Sequence, residues 1–222
     1  RLVIANTKED FAREAVHLQG AGNGTIDGLL LASTAGQWEQ VAPLLPAGLP
    51  TVLVDRVFEH TGSSVSVDSA AALGQAVKAL AAQGHARIGF ISGIARLSST
   101  KERLAAYRQA MADCGLPEDE DLIQYGDSLE NSACACLDEL LERKCDALIV
   151  CQGLMASETI IYLHQKGIRL GQDIDLVSFV DYDSDVYALY ANQMDSIIQP
   201  VEELGRSAGE QILKRVEEPD AP

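Results

Sequence analysis

The chain has 222 residues, and 17 Lys plus Arg against 33 Asp plus Glu give a formal net charge of −16. That balance repels phosphates, and no basic patch offsets it, which excludes nucleic-acid binding by this segment alone. A composition of 47% hydrophobic and 23% charged residues supports a buried core and excludes a disordered chain, and no apolar stretch nears the roughly 18 residues needed to span a bilayer.

In chain order, short β-rich runs alternate with helical patterns. Leu2-Val3-Ile4-Ala5 reads as a strand rather than a signal peptide. A helix follows with Phe11, Ala15 and Leu18 on one face, then the continuous apolar run Ile26 to Leu31, which suits a buried parallel strand. Trp38, Val41 and Leu45 mark a helix, Pro46 and Pro50 bracket a turn, and Thr51 to Val54 is a strand. Val65-Ser66-Val67 alternates like an edge strand. Asp68 or Ser69 then caps a helix whose buried face is Leu73, Ala76, Val77 and Leu80, closed by a left-handed Gly84.

Arg87 to Gly93 is a strong strand. Leu104, Tyr107, Met111 and Cys114 form a helical stripe closed by Gly115. Leu122 to Tyr125 is a strand, and Leu129, Ala133, Cys136, Leu137 and Leu140 line the next helix. Ala147 to Val150 is a buried strand, followed by a helix over Met155 to Gln165 that ends at Gly167. Leu176 to Val180 and Ser196 to Ile198 are the last strands. Pro200 suits a first helical position, with Val201, Leu204, Ala208 and Ile212 on the face behind it.

This alternation predicts a parallel α/β architecture with helices on both sheet faces. Ligands in such folds sit at the carboxyl ends of strands. Those ends carry Asn6, Ser33, Asp55, Arg56, Ser92, Asp127, Gln152 and Asp181, a polar set that suits a hydrogen-bonding cleft or simply the meeting of strand ends with water.

No catalytic constellation stands out. The chain has no G-x-S-x-G elbow, no phosphate-cradling G-x-x-x-x-G-K and no H-E-x-x-H. Gly20, Gly22 and Gly24 precede a strand, whereas a dinucleotide loop must follow one, so no cofactor is expected. His17, His60, His85 and His164 are scattered. Asp181, Asp183 and Asp185 form an acidic run that could hold a cation or be a solvated loop. The five cysteines, Cys114, Cys134, Cys136, Cys145 and Cys151, are odd in number and lack C-x-x-C spacing. They read as reduced thiols of a cytoplasmic protein and not as a zinc site.

Three segments carry a resemblance: Thr51-Val52-Leu53-Val54-Asp55-Arg56, Gly84-His85-Ala86-Arg87-Ile88-Gly89-Phe90-Ile91-Ser92-Gly93, and Arg103-Leu104-Ala105-Ala106-Tyr107. With Gly126-Asp127, Asp146-Ala147-Leu148, Gly167-Ile168, Asp173-Ile174 and Gln199-Pro200…Leu204-Gly205, the ordered set resembles the effector-binding core of the lactose-repressor (LacI/GalR) family over nearly the whole chain.

The resemblance implies two Rossmann-like parallel-sheet subdomains of the periplasmic-binding-protein-like type I fold. The expected division is residues 1–93 with 196–216 as a discontinuous N-terminal effector subdomain lacking its first strand and helix, 95–193 as a C-terminal one, and 217–222 as a tail. Crossovers are expected near Gly93 to Ile94 and Gln193 to Ser196. The implied function is sensing a small-molecule effector, sugar-like or another metabolite, in the cleft between subdomains of a homodimeric, non-enzymatic regulator. Operator DNA would be met only through a helix-turn-helix headpiece that this chain does not contain. A periplasmic solute receptor of a transport system shares the fold and is the alternative.

By resemblance, the ligand-binding residues are Arg103, Ser99, Asp55, Gln152, Asp181 and Gln199. Arg103 would reach the ligand from its helix, with a donor fork suited to hydroxyls or a carboxylate. Ser99, one turn earlier, could face the ligand or cap the helix. Asp55 and Gln199 could equally make loop or hinge hydrogen bonds. The family pattern of Asn-Asp is replaced by Gln152-Gly153, its first strand-end aspartate by Val180, and an aromatic by Ser128. Losing a carboxylate and an aromatic points away from an ordinary sugar pocket.

Overall fold

A computed structural model describes residues 1–58, 62–127, 131–180 and 185–218. The chain divides into two compact units. Unit 1 comprises Arg1–Val67, Arg96–Ser99 and Pro200–Pro222, and unit 2 comprises Asp68–Ala95 and Thr100–Gln199. Each holds one parallel sheet with flanking helices, as the alternating sequence pattern predicts.

In unit 1, β1 (Leu29–Leu31), β2 (Thr51–Val54) and β3 (Ser64–Val65) pair in that order, all parallel. Helix α1 (Phe11–Gly20) starts at Asp10, whose carboxylate accepts from the Ala12 and Arg13 amides at 2.8 and 3.3 Å. Such caps satisfy amide groups that the helix itself cannot. With α2 (Trp38–Val41), α1 encloses a core of Leu18, Leu31, Ala35, Val41 and Leu53. The amphipathic α8 (Val201–Glu217) lies across all three strands. Its approach is close enough that a Cβ at Gly28 would sit 2.9 Å from both Ile212 and Val216, so any larger residue before β1 would have to displace those side chains.

The segment Leu2 to Ala5 is not a strand. Leu2 is 80% and Ile4 84% exposed, and no described residue pairs with this segment. Strand propensity without a neighbouring ladder does not hold a strand, because unpaired backbone groups prefer water.

In unit 2, five parallel strands run in the order β5 (Ile123–Tyr125), β4 (Ile88–Ser92), β6 (Ala147–Val150), β7 (Asp175–Val180) and β8 (Asp195–Ile198). One face carries α3 (Ala70–Ala82) and α4 (Ser98–Asp113), packed over Phe90, Ile149, Val177 and Phe179. The other carries α5 (Ser132–Glu142) and α6 (Gly153–Gln165), packed over Ile91, Leu148, Val150 and Leu176. A short helix, α7 (Asp185–Tyr190), precedes β8. The buried residues of α3 are Leu73, Ala76, Val77 and Leu80, the stripe read from sequence, and Asp68 accepts from the Ala70 amide at 2.9 Å. Gly84 has φ +99°, the left-handed conformation expected after the last turn.

The subdomain boundary differs from the sequence expectation. Residues 68–95 belong to unit 2, because β4 is hydrogen-bonded between β5 and β6 in its sheet. The first crossing therefore falls at Val67 to Asp68 rather than near Gly93, and the last at Gln199 to Pro200. Residues Arg96–Ser99 return to unit 1, where Arg96 Nε donates to the Thr34 carbonyl at 2.9 Å and Ser98 Oγ accepts from the Val57 amide at 2.9 Å. Those residues fill a short connection after a strong strand, so the pattern of apolar residues there carried no hint of which sheet claims it.

Candidate functional site

The carboxyl ends of the unit 2 strands converge on Arg103. This residue lies on α4 one and two turns before the buried Tyr107 and Met111, so the helix that buries those side chains also turns Arg103 toward the sheet. Arg103 Nη1 donates to the carbonyl of Cys151, just past β6, at 2.6 Å. Its Nη2 donates to Gln199 Oε1, just past β8, at 3.0 Å. The guanidinium carbon lies 4.3 Å from the centroid of the Phe179 ring on β7. Contacts of this cation–π kind contribute about 0.5–2 kcal/mol. Three strands thus fix one planar cation.

The fixing is incomplete. Arg103 Nε is buried without a hydrogen-bond partner among the described residues, and so are Gln152 Oε1 and Ser92 Oγ. Ser92 is only 1% exposed and ends β4, where the pairing of Ile91 with Val150 sets it beside Cys151. Alternation along β4 puts Ser92 on the same face as Phe90, which is the face of Phe179 and Arg103. Buried polar atoms normally find partners, so unmet ones at strand ends make this a candidate site.

The Cys151 thiol is no nucleophile. Burial pushes its pKa up to about 12, against which the nearby Arg103 charge pulls only partly down, so it stays protonated at neutral pH. The Tyr107 phenol is likewise raised, chiefly by burial and then by Glu118 and Asp119; it donates to the Ile88 carbonyl at 2.7 Å and stacks on Phe90 at 4.5 Å. Its place is in the core under the site.

In unit 1, Asp55 follows β2 with φ +62°, a left-handed backbone that aspartate tolerates better than most residues. Its neighbour Arg56 grips Glu9 with two nitrogens, at 2.6 and 2.8 Å, and donates to the Ser33 carbonyl at 3.3 Å. Beneath them Glu14 is 2% exposed. Its carboxylate accepts from Ser33 Oγ at 2.6 Å, the Thr34 amide at 2.6 Å and Thr34 Oγ1 at 2.8 Å. This network fixes the loop that leaves β1.

Of the residues singled out in the sequence, Arg103 and Gln199 are hydrogen-bonded to each other, and Gln152 follows Cys151, whose carbonyl accepts from Arg103. Asp55 and Ser99 belong to unit 1, where Ser99 is half-buried at the start of α4. Asp181 and Ser128 lie outside the described residues. Sequence reading missed Phe179 as the platform for Arg103, although strand alternation sets it beside Val177 on the α4 face. It also missed Glu14, which the helical spacing to Leu18 places on the buried side of α1.

Residues 77–222 match the periplasmic binding protein-like domain. The HTH-type transcriptional regulator CelR of Thermobifida fusca is 34% identical over 222 residues, which are 97% of this chain and 64% of that protein. The HTH-type transcriptional regulator PtxS of Pseudomonas plecoglossicida is 32% identical over 224 residues, covering 100% and 64%. A solved transcriptional regulator CelR-cellobiose complex matches with a TM-score of 0.82 at 31% identity, covering 94% of this chain and 65% of that one. The chain belongs to the periplasmic binding protein-like domain family. It spans just under two thirds of the length of these two curated relatives.

Proposed function

We propose that the chain is the effector-binding core of a LacI-type transcriptional regulator, and that Arg103 holds the effector. The observation that carries this is the half-satisfied guanidinium. It is pinned by the Cys151 carbonyl, Gln199 and Phe179, yet keeps a buried Nε without a hydrogen-bond partner among the described residues. A ligand that accepts from the Arg103 Nε would complete the hydrogen bonding of the guanidinium, which favours binding there. Asp55, Ser99 and Asp181 are further candidates for the same ligand on the strength of the family resemblance.

The reading carries a homodimer in the cytoplasm, operator DNA bound through a helix-turn-helix part of the whole protein, and no catalytic step. Both curated relatives reported above are transcriptional regulators, which supports a sensor over a transport receptor. Among the described residues no helix is long and apolar enough to cross a membrane.

Thermal-shift and calorimetric screening of sugars, nucleosides and small acids tests the proposal, with cellobiose included because the CelR complex holds it. A saturable ligand whose binding falls at least tenfold in Arg103→Ala is the expected result. A ligand bound equally well by the variant would remove Arg103 from the site.

A further inference from the structure

We draw no further inference here: the strongest candidate, the groove of unit 2 between the end of α6 and α7 that Ile160, Ile168, Leu170, Leu189 and Tyr190 line, carries nothing, because its His164 and Tyr190 are hydrogen-bonded to each other and nothing in the structure shows what covers it.

Discussion

Glu14 in unit 1 and Arg103 in unit 2 are both charged side chains held by neutral partners, and they are finished to different degrees. Glu14 receives three hydrogen bonds from Ser33 and Thr34, and none of its atoms is left over. Among the described residues Arg103 makes two hydrogen bonds and one ring contact, and its Nε is unmet. A charged group whose bonding capacity is filled from within acts as a brace. One whose capacity is left open is prepared for a visitor, because the outstanding bonds are made only when a ligand arrives. The distinction separates the structural polar network of unit 1 from the proposed recognition site of unit 2.

The largest effect that would break this comparison is on stability. Glu14→Ala leaves the Ser33 hydroxyl, the Thr34 amide and the Thr34 hydroxyl buried without their acceptor. Denaturant unfolding should show a loss of about 3 kcal/mol or more, since each buried unsatisfied group costs about 1–3 kcal/mol. A loss below about 1 kcal/mol would mean that the loop after β1 relaxes to water and that Glu14 is no brace.

Arg103→Ala should separate the two roles in the opposite sense. It removes two hydrogen bonds and a ring contact, but it also relieves a cation with no charged partner among the described residues. Stability should therefore change by about 1 kcal/mol or less, while ligand-induced stabilisation is lost. A loss as large as that of Glu14→Ala would put Arg103 among the braces.

Much of the fold was legible because it is written in local periodicity. The stripe Leu73, Ala76, Val77 and Leu80 needs no knowledge of distant residues, and neither does the strand Ile88–Ser92. What failed was non-local. Leu2-Val3-Ile4 has the propensity of a strand and no ladder to join. The place of β4 in the unit 2 sheet depends on pairing with β5 and β6, whose residues come some 30 to 60 positions later, so the boundary at Val67 could not be read beforehand. Within the site, Arg103 and Gln199 were reached through motif resemblance, 96 residues apart. Phe179 was passed over because an aromatic in a strand reads as core whether or not a cation lies on it. Glu14 was hidden because its partners lie 19 and 20 residues away.

The smallest effect belongs to a pair that is neither brace nor site, and it calibrates the other two. Arg169 binds Asp173 through Nε at 2.8 Å, Nη2 at 2.7 Å and its backbone amide at 2.9 Å, all at the exposed surface. These hydrogen bonds and the guanidinium charge hold the Asp173 carboxyl down to about 2, from an ordinary 3.8. Since the folded value lies below the unfolded one, the stabilisation is complete above about pH 4 and is lost as pH falls through about 2. Asp173→Asn should lower the melting temperature by about 2 °C or less at pH 7, as solvent screens an exposed pair. The gap between variant and parent should hold steady from pH 7 to 4 and close between 4 and 2. A gap at pH 7 as wide as that of Glu14→Ala would show that full charge pairing at the surface rivals a buried neutral network, and the contrast between filled and open bonding would lose its force.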